Sequence, residues 1–437
     1  MRFARRLLPS GLLAVIVACG SETVLEPGAL TITLNGPPPS LTSVAALPIT
    51  GQVVRTPTAS GATIVVTASG GANAASDTVA ADGSFVVTVG LSLNTTNQIQ
   101  FSASDASGSA VTPVSLVIRH DNTPAGVASS TPAHEADAVT SGTFAVVFTE
   151  PVRPGTATIG ITQQGVAVPG VSNLSADSLT LTFTPNVPFA PNAIHNALIS
   201  GQDEAGNPSA GAARCFVTGG TAVSSVSDPE DDAFVTQTPP TAALVPLDLL
   251  EMRFARTTDA LYTIVRFDAP RSLLLSASNN VTGVIDFDMD QNGSTGFIPL
   301  KDARLGAAIG DSSGAGADYL IELGDWIGTD SAFVGQYTSQ TSVSGAAFVA
   351  STCGGAVGWA APLALLGGPD DSFDVVAYFD TFDAVGAYAD AAPDLGVYSV
   401  AFTSAAAVSP GTPGLSGSVP VPLTVSARRI NRFQRRR

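Results

Sequence analysis

The sequence predicts an all-β chain built from three sandwiches in a row. Short runs of alternating apolar and polar residues sit between Gly, Pro, Asn and Asp clusters along most of its length, which is the period of half-buried strands. No segment beyond residue 19 carries a long apolar stripe at helical spacing. The 437 residues, with 45% hydrophobic content, 43 Gly and 30 Pro, leave room for about three domains of ~100–200 residues with real cores.

Residues 1–18 read as an export signal. Arg2, Arg5 and Arg6 precede the apolar run Leu12-Leu13-Ala14-Val15-Ile16-Val17, which is too short to span a bilayer. The run ends in Ile16-Val17-Ala18-Cys19, which resembles a bacterial lipobox. That resemblance implies cleavage before Cys19, a lipid on Cys19 and a membrane partner through that lipid. Gly20 after the cysteine is similar to outer-membrane sorting in Gram-negative envelopes. Residues 19–28 would then be a lipidated tether.

Residues 29–121 hold strand-length pieces at 30–34, 63–67, 84–89, 98–103 and 114–118, with turn signals at 81–83 and 105–108. Strands at this spacing in a unit of ~95 residues fit an Ig-like sandwich. The order Ile-Thr-Gly, Ala-Asp-Gly-Ser-Phe and Phe-Ser-Ala-Ser-Asp-Ala-Ser-Gly resembles the bacterial Ig-like modules of secreted proteins.

Residues 122–219 form the next unit. Phe148-Thr149-Glu150-Pro151-Val152, Phe183-Thr184-Pro185 and Asp203-Glu204-Ala205-Gly206-Asn207 resemble the landmarks of the Ig-like domain first described in a bacterial S-layer protein. The resemblance implies a spacer or surface-array role. Asp203 and Asn207 suit a turn in which side chains bond backbone amides. His120, His134 and His195 are isolated in sequence and are expected at the surface or in turns.

Residues 220–408 differ in composition. All six Tyr, both Trp, and 24 of the 36 acidic residues lie here, against six basic ones. Strands are expected at 261–267, 283–290, 318–323 and 374–379, with a helical turn near 362–366. Asp-Pro-Glu-Asp-Asp at 228–232, the run from Ile285 to Gly296 and Gly316-Ala317-Asp318-Tyr319 together resemble a larger sandwich appended to extracellular bacterial proteins. It is distantly similar to family 9 carbohydrate-binding and heme- or sugar-binding sandwiches, which implies glycan binding. Residues 409–437 are Pro/Gly/Ser-rich and then basic, the composition of a disordered solvated tail.

Charge narrows the partners. Between Cys19 and Ala427 the chain holds ten basic residues and all 36 acidic ones, a body that repels nucleic acid and attracts cations. The candidate cation site is Asp286, Asp288, Asp290 and Asn292, followed by Gly293. Oxygen donors at alternate positions before a glycine match the first half of a calcium loop, although Pro299 occupies the place of its terminal Glu. If residues 286–290 are a strand, the three aspartates share one face while Ile285, Phe287 and Met289 enter the core. The competing reading is a hairpin turning at Asn292-Gly293, with the aspartates facing water.

No nucleophile elbow, zinc-protease helix or phosphate loop occurs, and the acidic clusters single out no carboxylate pair for glycoside hydrolysis. A non-enzymatic, lipid-anchored surface protein presenting its last domain to a glycan or surface protein is therefore expected. A purely structural envelope element is the alternative, and a hydrolase in the last domain comes third. For Cys215 and Cys353 two readings stand: an inter-domain disulfide, or two small buried apolar residues.

Overall fold

The computed structural model describes residues 29–56, 63–106, 112–209, 211–220, 223–231, 233–235, 245–274, 276–297, 316–324, 330–339, 342–368, 371–381, 388–393, 397–402 and 421–426. The signal, Cys19, the tether, Trp326 and the basic run after Ser426 lie outside the described residues. Sheets dominate, as the alternation requires. Among the described residues the one helical element is the 3-10 turn Leu363–Leu365, at the expected place after Pro362.

The chain divides into two compact units, residues 1–122 and 123–437. In the first, a three-stranded sheet runs Ala29–Leu34, Ala46–Thr56, Ser84–Gly90. A five-stranded sheet runs Leu41–Thr42, Val114–His120, Thr96–Asp105, Ile64–Ser69, Ala75–Thr78. Period-2 burial is clear in Thr96–Asp105, where Asn97, Ile99, Phe101 and Ala103 turn inward while their neighbours are exposed. Phe85, Val87 and Val89 of one sheet share a core with Val66, Ile99, Phe101 and Ile118 of the other. His120 is not at the surface as expected. It is buried, and its Nδ1 accepts the amide of Asn94.

The second unit opens with another sandwich. One sheet runs Ala136–Val139, Ala212–Thr218, Ile194–Ser200, Thr158–Gln163, Val166–Val168; the other runs Gly170–Leu174, Thr180–Pro185, Phe144–Phe148, Val127–Thr131. Phe144, Val146, Leu181, Phe183 and Phe216 form its core. The Asp203 turn is as expected: its carboxylate accepts the Asn207 amide at 2.9 Å and the Asn207 side chain at 2.7 Å. His195 departs from expectation. It is buried, stacked on Phe216 with ring centres 4.9 Å apart, with Phe189 edge-on at 4.6 Å.

The C-terminal part pairs a five-stranded with a nine-stranded sheet. The first runs Val223–Ser227, Leu249–Arg256, Ala260–Phe267, Ala356–Pro362, Ser351–Cys353. The second has the strand Thr282–Asp288 at its centre, between Ser372–Asp380 and Tyr319–Gly324. Phe254, Val265 and Trp359 from the small sheet pack on Ile285, Phe287, Ile321, Phe373 and Phe379 from the large one. The tail is not wholly irregular. Val421–Ser426, with Val and Thr among its residues, is a strand antiparallel to Ser342–Val349.

The second and third sandwiches, which meet near residue 220 in the sequence, pack together within one unit. Ile194, Cys215 and Val217 of the second pack with Ile264, Cys353 and Ala356 of the third. A disulfide joins Cys215 to Cys353 across 138 residues, which resolves the cysteine alternatives in favour of the bond.

Candidate functional site

The candidate site is built where the strand Thr282–Asp288 leaves the large sheet. Alternation sets its residues: Ile285 and Phe287 are in the core and Met289 packs against it, so Asp286 and Asp288 point to the opposite face. Tyr337 covers that face over Asp286 and the chain at Gly316 covers it over Asp288, and both aspartates are buried.

The loop that follows folds around carboxylates. The Asn292 amide donates to Asp288 Oδ1 at 3.1 Å and to Asp290 Oδ1 at 2.9 Å. The Thr295 hydroxyl donates to Asp290 Oδ2 at 3.0 Å, and the Gly316 amide to Asp288 Oδ2 at 2.9 Å. Gly316 is required by closeness: a Cβ there would overlap the carbonyl oxygens of Thr295 and Asn292. Asn292-Gly293 is thus not a two-residue hairpin. Thr282–Asp288 and Tyr319–Gly324 do pair, but residues 289–318 connect them.

Of the four residues singled out in the sequence, the structure brings two together and adds a third from elsewhere. Asp288, Asp290 and Asp318 each offer a carboxylate oxygen within 4.8 Å of the others. Asp318 enters because the strand Tyr319–Gly324 pairs with Thr282–Asp288; its Oδ2 accepts the amide of Met289 at 3.1 Å. Asn292 lies in the loop, but its side-chain oxygen accepts the Ser294 amide at 3.2 Å. Asp286 is outside the cluster, and its Oδ1 accepts the Tyr337 hydroxyl at 2.6 Å. Burial drives these acids up: the Asp286 carboxyl is pushed to about 7, and Asp288 is raised first by burial and then by Asp290, against the lowering amides of Gly316 and Asn292. Three converging carboxylates with an oxygen-only donor set suit a hard divalent cation.

Asp318 could have been found in the sequence only by knowing the strand pairing. Its segment Gly316-Ala317-Asp318-Tyr319 was visible, but nothing in a spacing of 28 residues joins it to Asp290.

Among the described residues the aromatic side chains do not form an exposed platform. Trp359, Tyr262, Tyr319 and Tyr378 are buried, and Tyr337 stacks on Phe297 with ring centres 4.3 Å apart. Tyr398 donates to the Ser227 carbonyl at 2.7 Å. Asp228 is buried and accepts the Tyr398 hydroxyl at 3.1 Å.

Comparisons with known proteins bear on the first half of the chain. Residues 38–120 match the family model of a bacterial Ig domain, and residues 121–218 that of a bacterial Ig-like domain. No curated protein matches the chain. Among solved structures, the methionine-rich copper resistance protein PcoC from Escherichia coli is 15% identical, covering 22% of this chain and 99% of its own, at a TM-score of 0.21. The N-terminal part of the bacterial S-layer protein SbsC is 16% identical over 33% of this chain and 41% of its own, at a TM-score of 0.19. A bacterial ice-binding adhesin is 13% identical over 86% and 98%, at a TM-score of 0.27. Similarities this faint say nothing about the site. Among the described residues no helix is long and apolar enough to cross a membrane. What the family models establish is that residues 38–218 carry two bacterial Ig-like domains, one directly after the other.

Proposed function

We propose that this chain is a lipid-anchored structural protein of the bacterial cell surface. In this reading two Ig-like domains carry a C-terminal, calcium-organised sandwich toward a glycan or protein of the envelope or its surroundings. The observation that carries the reading is the order of parts: a lipobox-like leader before Cys19, two bacterial Ig-like domains at 38–218, then an acidic sandwich. Calcium has its place at Asp288, Asp290 and Asp318. An affinity of ~10⁻⁴–10⁻³ M, usual for extracellular modules, matches a millimolar environment.

A purely structural envelope element is the second reading. The burial of Trp359, Tyr262, Tyr319 and Tyr378 favours it, because sugar recognition by stacking needs exposed rings. Two measurements test the proposal. Labelling of cells with a radioactive fatty acid should mark the wild-type chain and leave Cys19→Ser unmarked; an unmarked wild type refutes the anchor. Glycan-array binding by the full chain then separates the readings, since binding abolished by chelation supports ligand display and no binding supports the structural element.

A further inference from the structure

We propose that the joint between the second and third sandwiches docks through its own non-covalent contacts and that the Cys215–Cys353 bond then locks it. The result is a clasp that fixes the C-terminal sandwich permanently against the second Ig-like domain. Three sets of contacts, all made by residues in or beside strands, define one orientation.

The first is Asn192, fully buried, whose side-chain amide donates to Arg253 O at 3.0 Å and to Tyr262 O at 3.1 Å. One side chain thereby reads the backbones of two adjacent strands of the other sandwich. The second is Asp137, whose carboxylate receives Arg253 at 2.6 Å and also Arg266, while Arg253 lies 3.4 Å from Glu251. The third is a buried polar chain: Gln163 donates to the Tyr262 hydroxyl at 3.3 Å and also meets His195 at 3.2 Å. Apolar closure surrounds them. Gly358 leaves the space that Ile264 and Ile194 fill, and a Cβ on Gly165 would press on Val349.

These contacts fix both cysteines before any bond exists. Cys215 sits in the strand Ala212–Thr218 and faces Cys353 across the joint, their Cα atoms 5.6 Å apart. That spacing lies in the range a disulfide spans without backbone movement. Forming the bond oxidises two thiols. Their two electrons and two protons pass to an external disulfide, which becomes two thiols, by exchange through a mixed disulfide. Once formed, the bond is buried on both sides, which hinders attack by reducing thiolates.

The test is alkylation of the full-length reduced chain. Both sulfurs face the joint, so their reactivity reports docking. After refolding in reductant, Cys215 and Cys353 are expected to react with iodoacetamide about 100-fold more slowly than in the denatured chain, and Asn192→Ala to restore about tenfold of that rate at both. Rates in the folded, reduced chain within threefold of the denatured ones would overturn docking before locking. Should Asn192→Ala fail to fold, Asp137→Asn, which keeps the shape and removes the charge, is read in the same way. Thiols as slow in Asp137→Asn as in the reduced wild type would remove the Asp137 clamp from the proposal.

Discussion

Cys215 and Cys353 close a covalent loop of 138 residues that starts in the last strand of the second Ig-like sandwich and runs through much of the third. The bond ties two sandwiches that the sequence presents as separate. Their contact lets each bury an otherwise exposed apolar patch, in which Ile194 and Val217 meet Ile264.

Removing the bond should cost stability chiefly through the unfolded chain. For a loop this long the chain-entropy model gives about 5 kcal/mol, an upper figure for Cys215→Ala/Cys353→Ala. Calorimetry should find a lower melting temperature for the unit after residue 122, with the first domain's transition unmoved. An unchanged profile would mean that the loop is constrained by other means.

Asn192 should be the costliest single polar residue of the joint. Asn192→Ala leaves two buried carbonyls without their donor and places Ala at φ 49°, so a loss of about 3 kcal/mol is expected in denaturant unfolding. Limited proteolysis should then cut near residues 219–240 faster than in wild type. Equal resistance in both chains would show that the amide is dispensable.

Two buried titratable groups give opposite pH dependences. The Asp286 carboxyl, raised to about 7 from an ordinary 3.8, keeps its proton in the folded chain below about pH 7. Its proton-linked stability is complete below pH 4 and is lost as pH rises to 7, by up to about 4 kcal/mol in the calcium-free chain. His195, lowered from 6.5 to about 3 by burial, works the other way, and its cost grows as pH falls from 6.5 to 3. Asp286→Asn should therefore be more stable than wild type at pH 8 in chelator, and His195→Phe more stable at pH 4. Parallel stability curves for all three chains would contradict both assignments.

Much of the fold was legible because alternation survives wherever one strand face is wet. Thr96–Asp105 and Thr180–Pro185 are written in that pattern, and the landmarks around Asp203 predict their own turn. Legibility fails where both faces are covered. Alternation groups Asp286 with Asp288 and Asp290 as a cation ligand, and it is instead buried under Tyr337, outside the carboxylate cluster. His195 and His120 mislead because a lone His at one end of an apolar strand run carries no mark of which face it joins. The site was half legible: Asp288 and Asp290 are local, whereas Asp318 arrives by strand pairing. The Cys215–Cys353 bond was visible as a pair and undecidable as a bond, because only the docked sandwiches bring the two together.

Calcium at the 288–318 loop separates an organised, ligand-ready C-terminal sandwich from a passive end-piece, and melting of the full chain measures it directly. Wild type should unfold at a higher temperature in millimolar calcium than in EDTA. The gain approaches ~2.7 kcal/mol only if calcium reaches 100 times its dissociation constant, and stays under about 1 kcal/mol near that constant. Asp290→Asn and Asp318→Asn should each abolish the difference, and Asp286→Asn should preserve it. The same melting temperature for wild type with and without calcium would contradict the site and leave the three aspartates as a hydrogen-bonded loop alone.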